Sequence, residues 1–145
     1  MMNIWQFQSR VSERLMQWSI FSVVAGFVML LGNKFWRGMG WQFIGWGIIN
    51  ALIALFGGAT MRDRLERHEN PAEIHIKQEE ATNLERLLWI NAFLDVLYVT
   101  GGRRWAKSDN GDGSRTGAGW GIVIQALFLF VFDVLHALSV PKEEE

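Results

Sequence analysis

GMGWQFIGWGIINALIALFGGA, residues 38–59, runs its whole length without a Lys, Arg, Asp or Glu. Its apolar residues fall on every side of a helix, and a helix apolar all round must be buried in a large core or in lipid. Its length suits the second case, since ~17–25 residues cross the hydrocarbon of a bilayer. Residues 16–33 (MQWSIFSVVAGFVMLLGN) and 118–139 (AGWGIVIQALFLFVFDVLHALS) have the same character, although the latter holds Gln125, Asp133 and His136. Residues 85–101 (ERLLWINAFLDVLYVTG) are shorter and include Asn91 and Asp95. A chain of 145 residues has too few others to build a soluble core around all four. The expected fold is therefore an all-α four-helix transmembrane bundle forming a single integral membrane domain, residues 1–145.

Half the residues are hydrophobic, the net charge is −1 and there is no cysteine. The absence of Cys removes disulfides, thiolate nucleophiles and thiolate metal sites. The near-zero net charge, with no basic patch interleaved with aromatics, argues against nucleic acid. Arg10 and Arg14 precede the first apolar run as in a signal peptide, but no small-x-small cleavage site follows, so it is expected to be a retained helix.

Residues 60–84 are charged and helix-favouring and are expected to form an extramembrane stalk. Asn70-Pro71 followed by Glu73 has the order of an N-cap, a first-position proline and a capping acid, so a new helix is expected from Pro71 through the third span. At ~1.5 Å per residue that helix would exceed the ~30 Å of hydrocarbon and stand out into water. Ile4, Phe7, Val11 and Leu15 recur at spacings of three and four and predict an amphipathic helix running into the first span. Helices thus extend from the bilayer on the side of the termini. The other side is expected to carry only the links 33–37 and 102–117, the second rich in Gly, Asp, Asn and Ser. Eight Lys and Arg (Arg10, Arg14, Arg62, Arg64, Arg67, Lys77, Arg86, Lys142) fall on the termini side and six on the other. The positive-inside rule then places the termini in the cytoplasm. Trp36, Trp41, Trp105 and Trp120 are expected to anchor one interface, and Trp18 and Trp89 the other.

The chain also repeats. Glu13-Arg14-Leu15-Met16 matches Glu85-Arg86-Leu87-Leu88 at an offset of 72, and Gly38-Met39-Gly40-Trp41 matches Gly117-Ala118-Gly119-Trp120 at an offset of 79. Two such matches, in order, predict two tandem helical hairpins related by a pseudo-twofold axis along the membrane normal. Small residues spaced by four (Ser22 and Gly26, Gly47 and Ala51, Ala54 and Gly58, Gly117 and Gly121) would let helices approach closely.

The segments NAFLDVLYVTG, from Asn91, and GAGWGIVIQALFLFVFDVLH, from Gly117, resemble an uncharacterised family of small bacterial four-span membrane proteins, a domain of unknown function. The shared positions are Asn91, Leu94-Asp95, Tyr98, Gly101, Gly117, Gly119, Gln125, Phe128-Leu129 and Phe132-Asp133, and Trp46 with Asn50 is similar. Ala126 stands where the family has Gly. The resemblance implies the fold and a place in the bacterial inner membrane, and no activity.

An ionisable group at membrane depth costs ~2.5–3.5 kcal/mol on insertion scales, so Asp95 and Asp133 need an explanation. Counted at helical rise from the interfaces, Asp95, Asp133 and Asn50 lie about 9–12 Å deep and Ser22 about 6 Å. Asn91, Asp95 and Tyr98 share one helix face, and Gln125, Asp133 and His136 another. These residues could simply hold the bundle together by interhelical hydrogen bonds of ~0.6–2 kcal/mol. Alternatively they form a ligand- or proton-binding cluster centred on Asp95, Asp133, His136 and Asn50, in which either a charged His136 partners the acids or the acids are themselves neutral. His68 and His75 with nearby Glu match no metal-site spacing, and Gly117, Gly119 and Gly121 lack the strand and Lys of a phosphate loop. No catalytic grouping assembles, so no enzyme activity, cofactor or metal is expected. The favoured expectation is a structural or accessory subunit that self-associates or docks on a larger membrane complex; the alternative is a proton-coupled carrier or a small-molecule or lipid binder.

Overall fold

The computed structural model describes residues 2–142 and bears out an all-α four-helix bundle, with no strand among the described residues. The helices are α1 (Ile4–Met29), α2 (Lys34–Arg67), α3 (Ile74–Lys107) and α4 (Ser114–Leu138). Local chemistry sets their starts. Asn3 opens α1 with a capping box: the Gln6 N–H donates to Asn3 Oδ1 at 2.9 Å, and the Asn3 N–H donates back to Gln6 Oε1 at 3.4 Å. Asn33 caps α2 by accepting from the Trp36 N–H at 3.3 Å.

Several expected boundaries move. The third helix starts at Ile74, not Pro71, and its N-cap Glu73 makes no side-chain cap bond. Pro71 instead lies in the turn, where its carbonyl accepts the Trp5 Nε1–H at 3.1 Å, while the Asn70 amide reaches Glu73 at 3.5 Å. The glycine pair at 101–102 does not end α3, which continues to Lys107. Gly102 serves packing: a Cβ there would press on the Gly119 carbonyl at 2.8 Å. The second link therefore shrinks to 108–113 and the first to 30–33. The stalk is shared, with α2 supplying residues up to Arg67 and α3 supplying the rest.

The second link is held by one carboxylate. Asp109 Oδ1 accepts from the N–H groups of Gly111 and Asp112, and its Oδ2 accepts from the Thr116 N–H at 3.0 Å and Oγ1–H at 2.6 Å. Gly113, at φ +82°, supplies the left-handed residue that turns the chain into α4. The Thr116 hydroxyl bond, followed by the backbone bonds, holds the Asp109 carboxyl down at about 2 from an ordinary 3.8.

α1 packs on α2 and α3 on α4, and the two hairpins meet chiefly along α2 and α4. These contacts depend on bare backbone. A Cβ on Gly26 would meet the Gly40 carbonyl at 2.7 Å, and one on Gly40 the Gly26 carbonyl at 2.6 Å. Gly102 and Gly119 oppose each other in the same way in the second hairpin. Between hairpins, Gly38 lies against the Ser114 carbonyl and Gly117 against the Phe35 carbonyl, with no room for a methyl at either. Gly47 is equally confined, against Val23 and the Ser19 carbonyl. Gly58, expected in a close-approach pair with Ala54, faces open space instead.

All the α2–α4 glycine contacts lie at the short-link end. Toward the termini the bundle is filled by side chains: Ile4, Trp5, Phe7, Met61, Ala81, Leu88, Ala137 and Val140 form one core cluster, and Leu15, Ala54, Leu129 and Phe132 another. By length and composition, α2 and α4 can cross a membrane. α1 and α3 fall outside that criterion.

Two outcomes follow from this packing. Gly117→Ala should lose about 1–3 kcal/mol through overpacking, whereas Gly45→Ala, at an open site, should be neutral or gain up to about 1 kcal/mol; thermal unfolding in detergent compares them, and equal effects would refute the crossing as described. Asp109 stabilises while ionised, so its contribution is complete above its unfolded value of 3.8 and is lost as pH falls through about 2. The stability gap between the native chain and Asp109→Asn should hold above that range and close within it.

Candidate functional site

Toward the termini from the glycine contacts, a cavity of about 370 Å³ opens among all four helices. Val11, Leu15, Leu84, Leu88 and Phe132 make its walls apolar. One end is ringed by Gln8, Arg64 and Glu80, and at the other lie Asn91 and Asp133. From Glu80 to Asn91 along α3, and from Arg64 to Ile53 along α2, the slot is about 16 Å long at helical rise. Ile53, Gly57 and Thr60 of α2, and Asn83 and Leu87 of α3, both line it and are exposed, so it opens sideways between α2 and α3.

The ring at the stalk end is an ordered set of bonds. Arg64 Nε–H donates to Glu80 Oε1 at 2.8 Å, and Gln8 Nε2–H donates to Glu80 Oε2 at 3.1 Å. Because Glu80 only accepts, the Gln8 amide is oriented, and its buried Oε1 has no partner among the described residues. None of these three was singled out from the sequence. The signal lay in spacing: Glu80, Leu84, Leu88, Asn91 and Asp95 continue one inward stripe through the charged stalk, and Gln8 adjoins the stripe of Ile4, Phe7, Val11 and Leu15.

At the floor, the Asp95 and Asp133 side chains, both buried, are within hydrogen-bonding reach of each other. Two ionised carboxylates have only lone pairs to offer, so a hydrogen bond between them needs a proton on one of the two. Asp95 Oδ2 and the Asn50 Nδ2 group are buried without a partner among the described residues. Asp95 lies one turn beyond Asn91, and Asn50 one turn beyond Ala54, both cavity-lining positions.

The expected polar cluster is divided in two. Gln125, fully buried, faces α1: its Nε2–H donates to Ser22 Oγ at 3.1 Å, and its Oε1 accepts the Trp18 Nε1–H at 3.0 Å. It sits eight residues, about 12 Å, along α4 from Asp133. His136 likewise turns from the acids toward α1, where Arg14 Nη1–H donates to its Nε2 at 3.2 Å. Its Nδ1–H must then donate to the Phe132 carbonyl at 2.6 Å, making His136 a neutral ring. A step of three residues rotates a side chain 60° around a helix, enough to send Asp133 to α3 and His136 to α1. Tyr98, half-exposed, meets the edge of Trp46 rather than the floor.

Of the expected interface anchors, Trp36, Trp41, Trp105 and Trp120 are exposed near the short links, and Trp89 is exposed on α3. Trp18 instead stacks on Phe128, with ring centroids 3.5 Å apart and planes 8° from parallel. Its indole N–H is committed to Gln125.

Fold and site together define a four-helix protein with a carboxyl pair flooring an end cavity. Residues 14–134 match a family of unknown function, DUF6992, and the chain belongs to that family. No curated protein and no solved structure matches it. The matched span includes Asn50, Asn91, Asp95, Gln125 and Asp133, while Gln8 and His136 lie outside it.

The carboxyl pair makes a directed prediction. Asp95→Asn keeps a donor for Asp133 and should change stability little, whereas Asp95→Ala leaves Asp133 buried and alone at a cost of about 1–3 kcal/mol. Thermal unfolding of the two variants in detergent decides, and equal losses would argue against a shared proton.

Proposed function

We propose that the chain is an integral membrane protein of four spans, made of two tandem hairpins, that takes a small amphiphilic molecule from the bilayer into the cavity between α2 and α3. The cavity carries the proposal: dry walls, a polar floor, unpartnered buried polar atoms and a sideways mouth make a site for an elongated molecule with a polar head.

The membrane reading is supported by what faces outward. Phe21, Val24, Phe27 and Val28 on α1, Ile49, Leu52 and Phe56 on α2, Phe93 and Leu97 on α3, and Leu127, Val131 and Leu135 on α4 are each about half exposed or more. This surface is far larger than the apolar patch of a soluble monomer. Inward polar and outward apolar side chains are the arrangement lipid selects. The basic-residue count favours termini on the cytoplasmic side of a bacterial inner membrane.

Reciprocal contacts support the duplication. An offset of 79 carries Phe35 and Gly38 to Ser114 and Gly117, so the Gly38–Ser114 and Gly117–Phe35 contacts exchange. The glycine pairs of the two hairpins relate Gly26 to Gly102, an offset of 76, one helical turn from the 72 drawn from Glu13 and Glu85. With 76 and 79, the Ser22–Gln125 contact corresponds to Tyr98–Trp46. The same correspondence sets Phe132 and His136 against Ile53 and Gly57. On the α1–α4 side aromatic rings fill the seam; on the α2–α3 side their non-aromatic counterparts leave it open. Divergence of the two copies thus accounts for the cavity.

An accessory role is the second reading. It is favoured by Gly45 and Gly101, where an added Cβ would meet open space among the described residues and another helix could approach.

The test uses single-cysteine variants, since the native chain has none. Asn110→Cys should react with an impermeant maleimide on intact cells, and Glu69→Cys only after lysis; labelling from one side would overturn the hairpin topology. In phosphatidylcholine nanodiscs, dodecanol should raise the Tm of the native chain but not of Gly57→Phe, whose ring would occupy the mouth. Gly57 has room for it, since a Cβ there would meet only Ser12 Oγ at 3.6 Å. Equal Tm shifts in both proteins would refute the cavity as the binding site.

A further inference from the structure

The cavity has charged groups at both ends, and they differ in how far they are already satisfied. At the stalk end, Arg64 and Glu80 neutralise each other at 2.8 Å, and the Arg64 side chain is 43 % exposed, so its remaining N–H groups are at the wet mouth. At the floor, Asp133 is 7 % exposed and Asp95 4 %. With one proton on the pair, one negative charge remains between the two carboxyls. No cation answers it from the cavity wall. α1 offers Gln8 and Ser12, α2 offers Thr60 and the paired Arg64, and α3 offers Asn83, Asn91 and the paired Glu80. His136, the other titratable group on α4 near the floor, is neutral and bonded to Arg14 and Phe132. Three buried polar atoms also lack partners among the described residues: the acceptors Gln8 Oε1 and Asp95 Oδ2 and the donor Asn50 Nδ2. A buried carboxyl pair with an unpartnered oxygen and no cation beside it favours an occupant that brings N–H donors and positive charge.

Building on the cavity proposed above, we infer that its occupant is a cationic amphiphile: an alkyl or comparably apolar body along the slot, with a protonated amine directed to the Asp133 floor. An anionic head would have to stay at the mouth, on a guanidinium already paired with Glu80, with its apolar tail against the carboxyl pair. A neutral alcohol would fill the walls and leave the charge unmatched.

The experiment compares dodecylammonium, dodecanol and dodecyl sulfate binding to the full chain in phosphatidylcholine nanodiscs, followed by tryptophan fluorescence. The native chain should bind dodecylammonium at least tenfold more tightly than dodecanol, and dodecyl sulfate most weakly. The double variant Asp95→Asn, Asp133→Asn keeps an amide-to-amide bond at the floor and should reduce the preference for dodecylammonium over dodecanol to within a factor of two. Ratios between the native chain and the variant cancel partitioning into the bilayer. If the double variant fails to fold, the order of the three probes on the native chain still decides. Dodecanol binding as tightly as dodecylammonium, or dodecyl sulfate binding tightest, overturns the cation assignment and leaves the cavity standing. Binding of all three that is indifferent to Gly57→Phe overturns both.

Discussion

The contact on which the bundle depends is backbone against backbone at the short-link end of α2 and α4. Gly38 against the Ser114 carbonyl and Gly117 against the Phe35 carbonyl leave no room for a Cβ. Such close approach brings main chains into extensive dispersion contact without side-chain entropy to lose. Toward the termini larger side chains such as Ala54, Met61, Leu129 and Phe132 replace glycine between the hairpins, and the remaining space is filled by side chains or left open. On the α1–α4 seam, Trp18, Phe128, Phe132 and His136 fill it through successive ring contacts. On the α2–α3 seam it remains a cavity.

The buried polar groups follow the same division. Gln125 serves as a fastener, spending its donor on Ser22 and its acceptor on Trp18, so nothing is left over for a ligand. The groups around the cavity are in the opposite condition. Gln8, Asn50 and Asp95 each keep an orphan atom, and a buried orphan costs roughly 1–3 kcal/mol. A scaffold that satisfies its polar groups along one seam and leaves them wanting along the other has its unmet bonding capacity in one place, beside the opening.

Much of the architecture was legible because apolar runs and helix-start residues are local signals. The four helices, the N-terminal amphipathic stripe and the inward position of Asp95, Asp133, Asn50 and Gln125 all follow from composition and spacing. The misjudged boundaries turned on glycine and proline, whose effect is set by tertiary neighbours. Gly102 looked like a helix stop and is a packing surface; Pro71 looked like a helix start and is a hydrogen-bond acceptor for a distant indole. The pairing of His136 was also beyond local reading, because a 60° difference around α4 decides between two neighbours and only packing sets which helix lies on each side. The ring of Gln8, Arg64 and Glu80 was hidden by its charged surroundings, where one inward Glu looks like its solvated neighbours.

The indole bond from Trp5 to Pro71, and the cluster that joins Ile4 to Val140, tie the first turn of α1 to the connection between the hairpins and to the segment just past α4. Each hairpin can assemble from residues near one another in the chain, which is fast. The clasp at the stalk cannot, because its members Ile4 and Val140 lie at the start of α1 and just past α4, and joining them closes a long loop. The stalk end of the chamber is thus walled only where both hairpins are already side by side.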